Sequence, residues 1–209
     1  MDAQIITNAA LDVLDEVGLD KLSMRLVAAR LGVQAGGLYY YVADKAALLR
    51  AMADELCQQV LSAGSGGPPP GSQRPGAPEP PAWAGEAAEL CRVLRSVLSQ
   101  HRDSARVLAA SPLQGSLNAL MLMERLIAIL EGGVTPELTG VAADALMAYV
   151  TGFVLQEQAG APQQFPLPMG ELAERFPRVL HAAAGDDDEM FATAVAAIIA
   201  GFGARGRTR

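Results

Sequence analysis

Between Leu22 and Lys45 the chain gathers side chains suited to recognising a polyanion with readable edges. Arg25, Gln34, Tyr39, Tyr40, Tyr41 and Lys45 supply guanidinium, amide, phenol and ammonium donors, and Ala35, Gly36 and Gly37 sit among them with almost no bulk. Guanidinium and amide groups form paired hydrogen bonds to base edges, and a small-residue patch lets the backbone approach a base edge or a thymine methyl. Phenol hydroxyls, ammonium groups and helix N-termini hold phosphates. Over residues 21–50 the cations Lys21, Arg25, Arg30, Lys45 and Arg50 face Asp44 alone, a local charge of +4 in a chain whose net charge is −7. An acidic body with one basic segment fits a protein that touches nucleic acid at one end. Its non-specific affinity is expected to be modest, because few phosphates are neutralised.

These groups need elements to position them. Ile5, Ile6, Ala9, Ala10, Val13, Leu14 and Val17 recur at helical spacing over 3–17, and Gly18 follows as the left-handed residue that ends the helix. Ser23, with Leu22 before it, caps a second helix that runs to Leu31 and stops at Gly32. A third helix, about Ala35–Tyr41, is too short and glycine-rich to stand alone, so its neighbours must clamp it. Val27, Ala28 and Leu31 face inward on the second helix, and Val33 and Leu38 seal the turn and the third. Asp44 caps a fourth, from Lys45 to about Ser62. Composition alone leaves a second reading open: a packed helical hairpin with solvated tyrosines.

From Gly64 to Pro81 the chain turns to Gly, Pro and Ser and can neither propagate a helix nor bury much surface. Helical patterns resume over about 83–100, 104–110, 116–131, 136–159, 169–183 and 187–203, punctuated by Pro112, Gly132-Gly133 and the 160–168 stretch. The spacing predicts an all-α chain of about nine to ten helices. Its parts are a three-helix helix-turn-helix domain over 1–62, a linker or loop over 63–82, a larger helical domain over 83–204 and a basic tail over 205–209. Hydrophobic residues make up 51%, enough for a sizeable core, and aromatics only 5%. No uninterrupted apolar run reaches the roughly 18–20 residues of a membrane span, and Met1-Asp2-Ala3-Gln4 has no positive leader. A cytoplasmic protein with no membrane partner is expected.

Catalysis has little to build on. His101 and His181 lie in no nucleophile, metal or phosphate-loop motif, so no enzyme, cofactor or metal is expected. Cys57 and Cys91 read as small buried hydrophobes. Asp186 to Glu189 reads as the acidic first turn of the last helix, favoured by the helix dipole.

Gly18-Leu19, Leu22-Ser-Met-Arg25, Val27-Ala28, Leu31-Gly-Val33, Leu38-Tyr-Tyr-Tyr-Val42 and Lys45 followed by Ala-Leu-Leu stand in an order and spacing that resemble the DNA-binding domain of the TetR family of bacterial regulators, across about residues 3–60. The resemblance implies that Ser23 and Arg25 open the second helix at the DNA backbone or an outer base. It puts Gln34, Ala35, Gly36 and Gly37 at the groove-facing start of the recognition helix. Tyr39, Tyr41 and Lys45 would hold phosphates, with Tyr40 a base-side or packing aromatic. Ala35 stands where the tetracycline-repressor branch uses a base-reading side chain, so the operator sequence does not carry over.

The larger domain resembles the tetracycline-repressor type through Trp83, Arg102 to Val107 and Gly152 to Gln158. That implies a homodimer joined by a four-helix bundle from about 137–159 and 187–203, with one ligand pocket per subunit. Ala192, Ala194, Ala196, Ala197, Ala200, Gly201 and Gly203 would let those helices approach closely, or else form a packing face within one chain. Alignment through Arg102-Asp103 puts Leu108 where the family's metal-holding histidine stands. Flanking polar positions fall at Leu90 and near Met123, and Val60 and Leu61 stand where another histidine is expected. A leucine cannot donate to a cation as an imidazole can, so a magnesium–tetracycline ligand is not expected. The expected pocket is largely apolar: Leu90, Leu94, Leu108, Met121, Met123, Tyr149 and Phe153, with His101 and Gln156 as polar handles. The implied function is a ligand-responsive regulator, a repressor on a pseudo-palindromic operator released by a small apolar molecule. The alternatives are an activator, or a ligand-binding dimer without DNA binding.

Overall fold

Helix ends lie where short polar side chains can take up free backbone groups. The computed structural model describes residues 2–63, 80–111, 115–160 and 166–205. Helix α1, Ala3–Val17, starts where Asp2 Oδ1 accepts the Ile5 amide at 2.9 Å, and ends at Gly18 with φ +77°. A side chain there would meet Asp103 Oδ2 at 3.0 Å as well as left-handed strain. Helix α2, Met24–Arg30, is capped by Ser23. Helix α3 spans only Ala35–Leu38, shorter than the spacing predicts, because the Tyr41 and Val42 amides both turn back to the Leu38 carbonyl at 2.9 Å. Helix α4, Lys45–Ala63, opens with Asp44 accepting the Ala47 amide at 2.6 Å.

The remaining helices are α5 (Ala82–Ser99), α6 (Ser104–Ala109), α7 (Leu117–Leu130), α8 (Pro136–Ala159), α9 (Met169–Arg175), α10 (Pro177–Ala183) and α11 (Asp187–Arg205). The described residues thus form eleven helices and no strand. One more helix than expected arises at Phe176-Pro177, inside the predicted 169–183 helix. Proline has no amide to donate and pushes the residue before it out of helical geometry, and Phe176 stands at φ −130°, ψ 48°. The Pro112 signal, most of the 63–82 linker, part of the 160–168 stretch and residues 206–209 of the basic tail lie outside the described residues.

Helix α4 joins the two halves. It packs on α1 at one end and on α5, α6 and α7 along its length, while α8 packs on α5, α6, α7 and α11. Ile6, Leu14, Leu38, Leu48 and Met52 are fully buried in the amino-terminal part of the core, and Leu98, Leu122, Leu126, Leu130 and Leu146 in the larger part. Each such side chain contributes about 1.5–3 kcal/mol by leaving water. The α7–α8 turn is set by Trp83, whose indole covers Gly133 so closely that a Cβ there would collide with the ring.

Helix α8 is 24 residues long and contains an 18-residue window with a mean hydropathy of 1.6, enough by length and composition to cross a bilayer. Here it is a bundle helix, with Leu146, Val150 and Val154 in the core. Val141 and Leu155 of α8 are exposed, as are Ala192, Ala196, Ala197, Ala200 and Gly201 of α11. Ala194 is half-buried, and Gly203 is buried against Trp83.

Candidate nucleic-acid interface and ligand cavity

Leu38 anchors the reading head. It is fully buried, so the flanking residues of α3 and the turn after it are turned outward: Tyr39 is 52% exposed, Tyr40 88% and Tyr41 44%. Tyr40 and Tyr41 meet edge to face at 5.3 Å. Gln34, Gly36 and Gly37 are exposed, Ala35 is half-buried, and a Cβ on either glycine would meet nothing within 4 Å. The backbone of α3 therefore lies open to a partner. Ser23 Oγ accepts the Leu26 amide at 3.4 Å, which commits one of its two lone pairs to the cap. Arg25 is exposed beside it.

Two of the five cations of this segment have other tasks. Arg30 pairs with Glu16 and, at 3.8 Å, with Asp12, and that pairing holds its guanidinium above the ordinary arginine range. Arg50 lies against Gly115 ahead of α7. Lys21, Arg25 and Lys45 make no ion pair among the described residues. Lys45 Nζ donates to the Leu19 carbonyl at 3.3 Å, which fixes it beside the end of α1.

The head is held to the larger half by the turn between α5 and α6. Asp103, left-handed at φ 56°, accepts the Leu19 amide at 2.8 Å through Oδ2. Arg106 bridges Asp103 at 3.2 Å and Asp20 at 2.7 Å. The hydrogen bond and charge of Arg106 hold the Asp20 carboxyl below its ordinary value. Asp15 receives His101 Nδ1 at 2.9 Å and the Arg102 amide at 2.8 Å. His101, expected as a handle in the pocket, thus faces the head. The Gln158 amide, two residues beyond the expected Gln156, ties the same turn by donating to the Leu98 and His101 carbonyls at 3.1 and 2.8 Å. Gln156 itself is exposed.

Behind α6 lies a cavity of about 390 Å³. Helix α4 contributes Ala53 and Cys57, α6 Leu108 and Ala109, and α8 Met147, Ala148, Thr151, Gly152 and Leu155; Ser111, Ser116 and Ala119 complete the described wall. Leu108 alone of the expected pocket residues lies on it. On α8 the expected residues 149, 153 and 156 are each one position from the wall residues 148, 152 and 155, a rotation of about 100° about the helix axis. Leu90 and Leu94 are packed in the core, Met123 is half-buried against it, and Met121 is 51% exposed on a shallow surface groove.

Tyr149 and Phe153 instead join Phe191 around Arg95. The guanidinium stands 5.0 and 4.8 Å from the Phe153 and Phe191 ring centres, and bonds Glu157 at 2.5 Å and Asp188 at 2.8 Å. Tyr149 and Phe191 stack at 5.9 Å. This cluster binds α5, α8 and α11 together, and nothing in the spacing of Arg95 announces it.

Residues 6–52 match the model of the bacterial regulatory proteins of the tetR family, and residues 77–205 match the tetracyclin repressor-like C-terminal domain. The chain belongs to the TetR family. Among TetR relatives, the class A tetracycline repressor from transposon 1721 of Escherichia coli is 33% identical over 158 residues, 74% of this chain and 66% of the repressor's own length. A possible TetR family transcriptional regulator from Streptomyces coelicolor A3(2) superposes with a TM-score of 0.78 at 30% identity, covering 98% of this chain and all of that one. ActR of Streptomyces coelicolor, in complex with actinorhodin, superposes with a TM-score of 0.76 at 30% identity over 99% of both chains.

Within this TetR-family frame Leu108 turns hydrocarbon into the cavity at the place where the resemblance calls for a metal-holding histidine. No three His, Cys, Asp or Glu side chains come together to hold an ion among the described residues. One signal for the cavity was present in the sequence. Ala53, Ala109, Ala119, Ala148 and Gly152 are small, and they leave space where four elements meet.

Proposed function

We propose that this regulator is a repressor. A homodimer joined through the outward faces of α8 and α11 grips a pseudo-palindromic operator with α2 and α3, and a small, largely apolar molecule in the cavity releases it. The domain limits are 1–62 for the head, 63–82 for the linker, 83–204 for the ligand and dimer domain and 205–209 for the tail, and the protein works in the cytoplasm. Ser23, Arg25, Gln34, Ala35, Gly36, Gly37, Tyr39, Tyr40, Tyr41 and Lys45 make up the DNA face.

One observation carries the reading: α6 is shared. Its Leu108 and Ala109 line the cavity, while Asp103 and Arg106 at its start hold Leu19 and Asp20 of the head. A molecule seated against α6 therefore acts on the groups that set the head's position. Release follows if that molecule binds better to the dimer with wrongly spaced heads, because half-sites about 34–36 Å apart leave little tolerance. The relatives crystallised with actinorhodin and with minocycline support a small-molecule effector.

The test is selection of bound duplexes from random DNA with the full chain, followed by anisotropy titration of the winners. A pseudo-palindrome bound by a dimer is expected, and that site should silence a reporter placed behind it. A strict monomer with no affinity for any duplex at low ionic strength overturns the proposal, and activation of the reporter overturns repression alone.

A further inference from the structure

The two serines of the cavity wall commit their hydroxyl protons before any ligand arrives. Its polar side chains, among the described residues, are Cys57, Ser111, Ser116 and Thr151. Ser116 Oγ donates to Asp54 Oδ1 at 2.6 Å and accepts the Ala119 amide at 3.0 Å. Asp54 also accepts the Asn118 amide at 2.9 Å and Asn118 Nδ2 at 2.7 Å. Those two groups can only donate, so the carboxylate is an acceptor throughout and the direction of the Ser116 bond is set. Ser111 Oγ donates to the Val107 carbonyl at 2.9 Å. A hydroxyl has one proton and two lone pairs, so both serines offer a ligand lone pairs alone. Thr151 forms no hydrogen bond among the described residues and keeps either role.

We infer that the cavity selects an uncharged, apolar molecule carrying a hydroxyl or N–H donor at its α4–α7 end, and that it rejects the corresponding anion. The inference rests on the cavity being the effector site. An ether or carbonyl oxygen at Ser116 would need the hydroxyl proton that Ser116 already directs at Asp54, and a bond to a carboxylate is roughly twice as strong as a neutral one. A carboxylate ligand would give up its hydration with no cation on the described wall to replace it. Asp54 stands directly behind Ser116 with charge of the same sign. Cys57 adds no compensating charge, since burial and then the Asp54 charge push its thiol up to about 12. The choice of donor also bears on the head. Asp54 belongs to α4, and its bonds to Ser116 and Asn118 tie that helix to the start of α7.

Three probes of nearly one shape separate the possibilities: a naphthol, its methyl ether and the corresponding naphthoate, titrated calorimetrically into the full-length dimer at neutral pH. The naphthol is expected to bind roughly five- to tenfold tighter than the ether, although the extra methyl favours the ether by hydrophobicity. The naphthoate should bind most weakly. Ser116→Ala and Ser111→Ala should each narrow the naphthol–ether gap, and the second leaves the α7 cap untouched. Gly152→Phe serves as the control, because Gly152 lines the wall and a Cβ there meets nothing within 4 Å. It should weaken all binding by at least about tenfold. If the ether or the naphthoate binds as well as the naphthol while Gly152→Phe still blocks, the donor inference is wrong and the site stands. A gap unchanged in both serine variants overturns the inference in the same way. If none of the three binds, or Gly152→Phe changes nothing, the cavity is not the ligand site and the reading beneath the inference falls as well.

Discussion

The tyrosines of the head and the serines of the cavity hold their hydrogen-bonding groups in opposite states. Tyr39, Tyr40 and Tyr41 are exposed and bond to nothing polar among the described residues, and the backbone of α3 has open space before Gly36 and Gly37. In the cavity the serine hydroxyls already donate to Asp54 and to the Val107 carbonyl. Free groups on long side chains can adjust to a duplex, and most of their affinity is electrostatic and salt-dependent. Committed groups cannot adjust, so they discriminate. One chain thus carries an adaptable surface and a pre-set one, joined by α4 and α6.

The largest test of that contrast is Leu38→Ala. Deleting a fully buried leucine costs roughly 2–5 kcal/mol, and here it removes the anchor of α3. Duplex binding should vanish in an anisotropy titration while naphthol binding to the cavity persists. Joint loss of both would mean that the two regions fold as one unit. Arg95→Ala acts on the other side. It strips two carboxylates and two aromatic rings of their shared cation, and should destabilise the larger half by about 2–3 kcal/mol. Thermal melting would read this, and Arg95→Lys should recover only part, because an ammonium lacks the planar fork.

Lys45→Ala should weaken binding to every duplex sequence alike and flatten the salt dependence by about one unit. Altered sequence preference at unchanged general affinity would contradict a phosphate role for Lys45. The smallest effect concerns the junction. Arg106, by hydrogen bond and charge, holds Asp20 below its ordinary 3.8. A carboxyl with a lowered folded pKa stabilises fully above its ordinary value and loses that contribution as pH falls through the lowered one. The Asp20–Arg106 contact should therefore survive at 3.8 and fail only in stronger acid. Carboxyl-carbon NMR would follow it, and Arg106→Ala should return Asp20 to about its ordinary value.

Much of the fold was legible because helix limits are local. Asp2, Ser23 and Asp44 cap their helices, and Gly18 and Gly32 adopt positive φ where the chain must turn. The candidate residues of the head could be named for the same reason, since they lie within one run of 24 residues from Leu22 to Lys45. Two local signals were missed. Pro177 divides what the apolar spacing joins, and the tyrosine turn ends α3 early. The charge of the head was only partly legible. Arg30 is answered by Glu16, which lies fourteen residues earlier on another helix.

Periodicity and capping, which depend on neighbours within a turn or two, were enough to determine an all-helical chain with a basic, aromatic reading segment near its start. The tertiary structure alone decided which face of α8 borders the cavity, that Tyr149 and Phe153 enclose Arg95, and that the Ser116 hydroxyl donates its hydrogen bond to Asp54. A cavity is a place where small side chains from distant segments fail to fill space, and an absence has no periodicity of its own. The Asp54–Ser116 bond spans 62 positions of the chain, and only the packing of α4 on α7 makes those two residues neighbours.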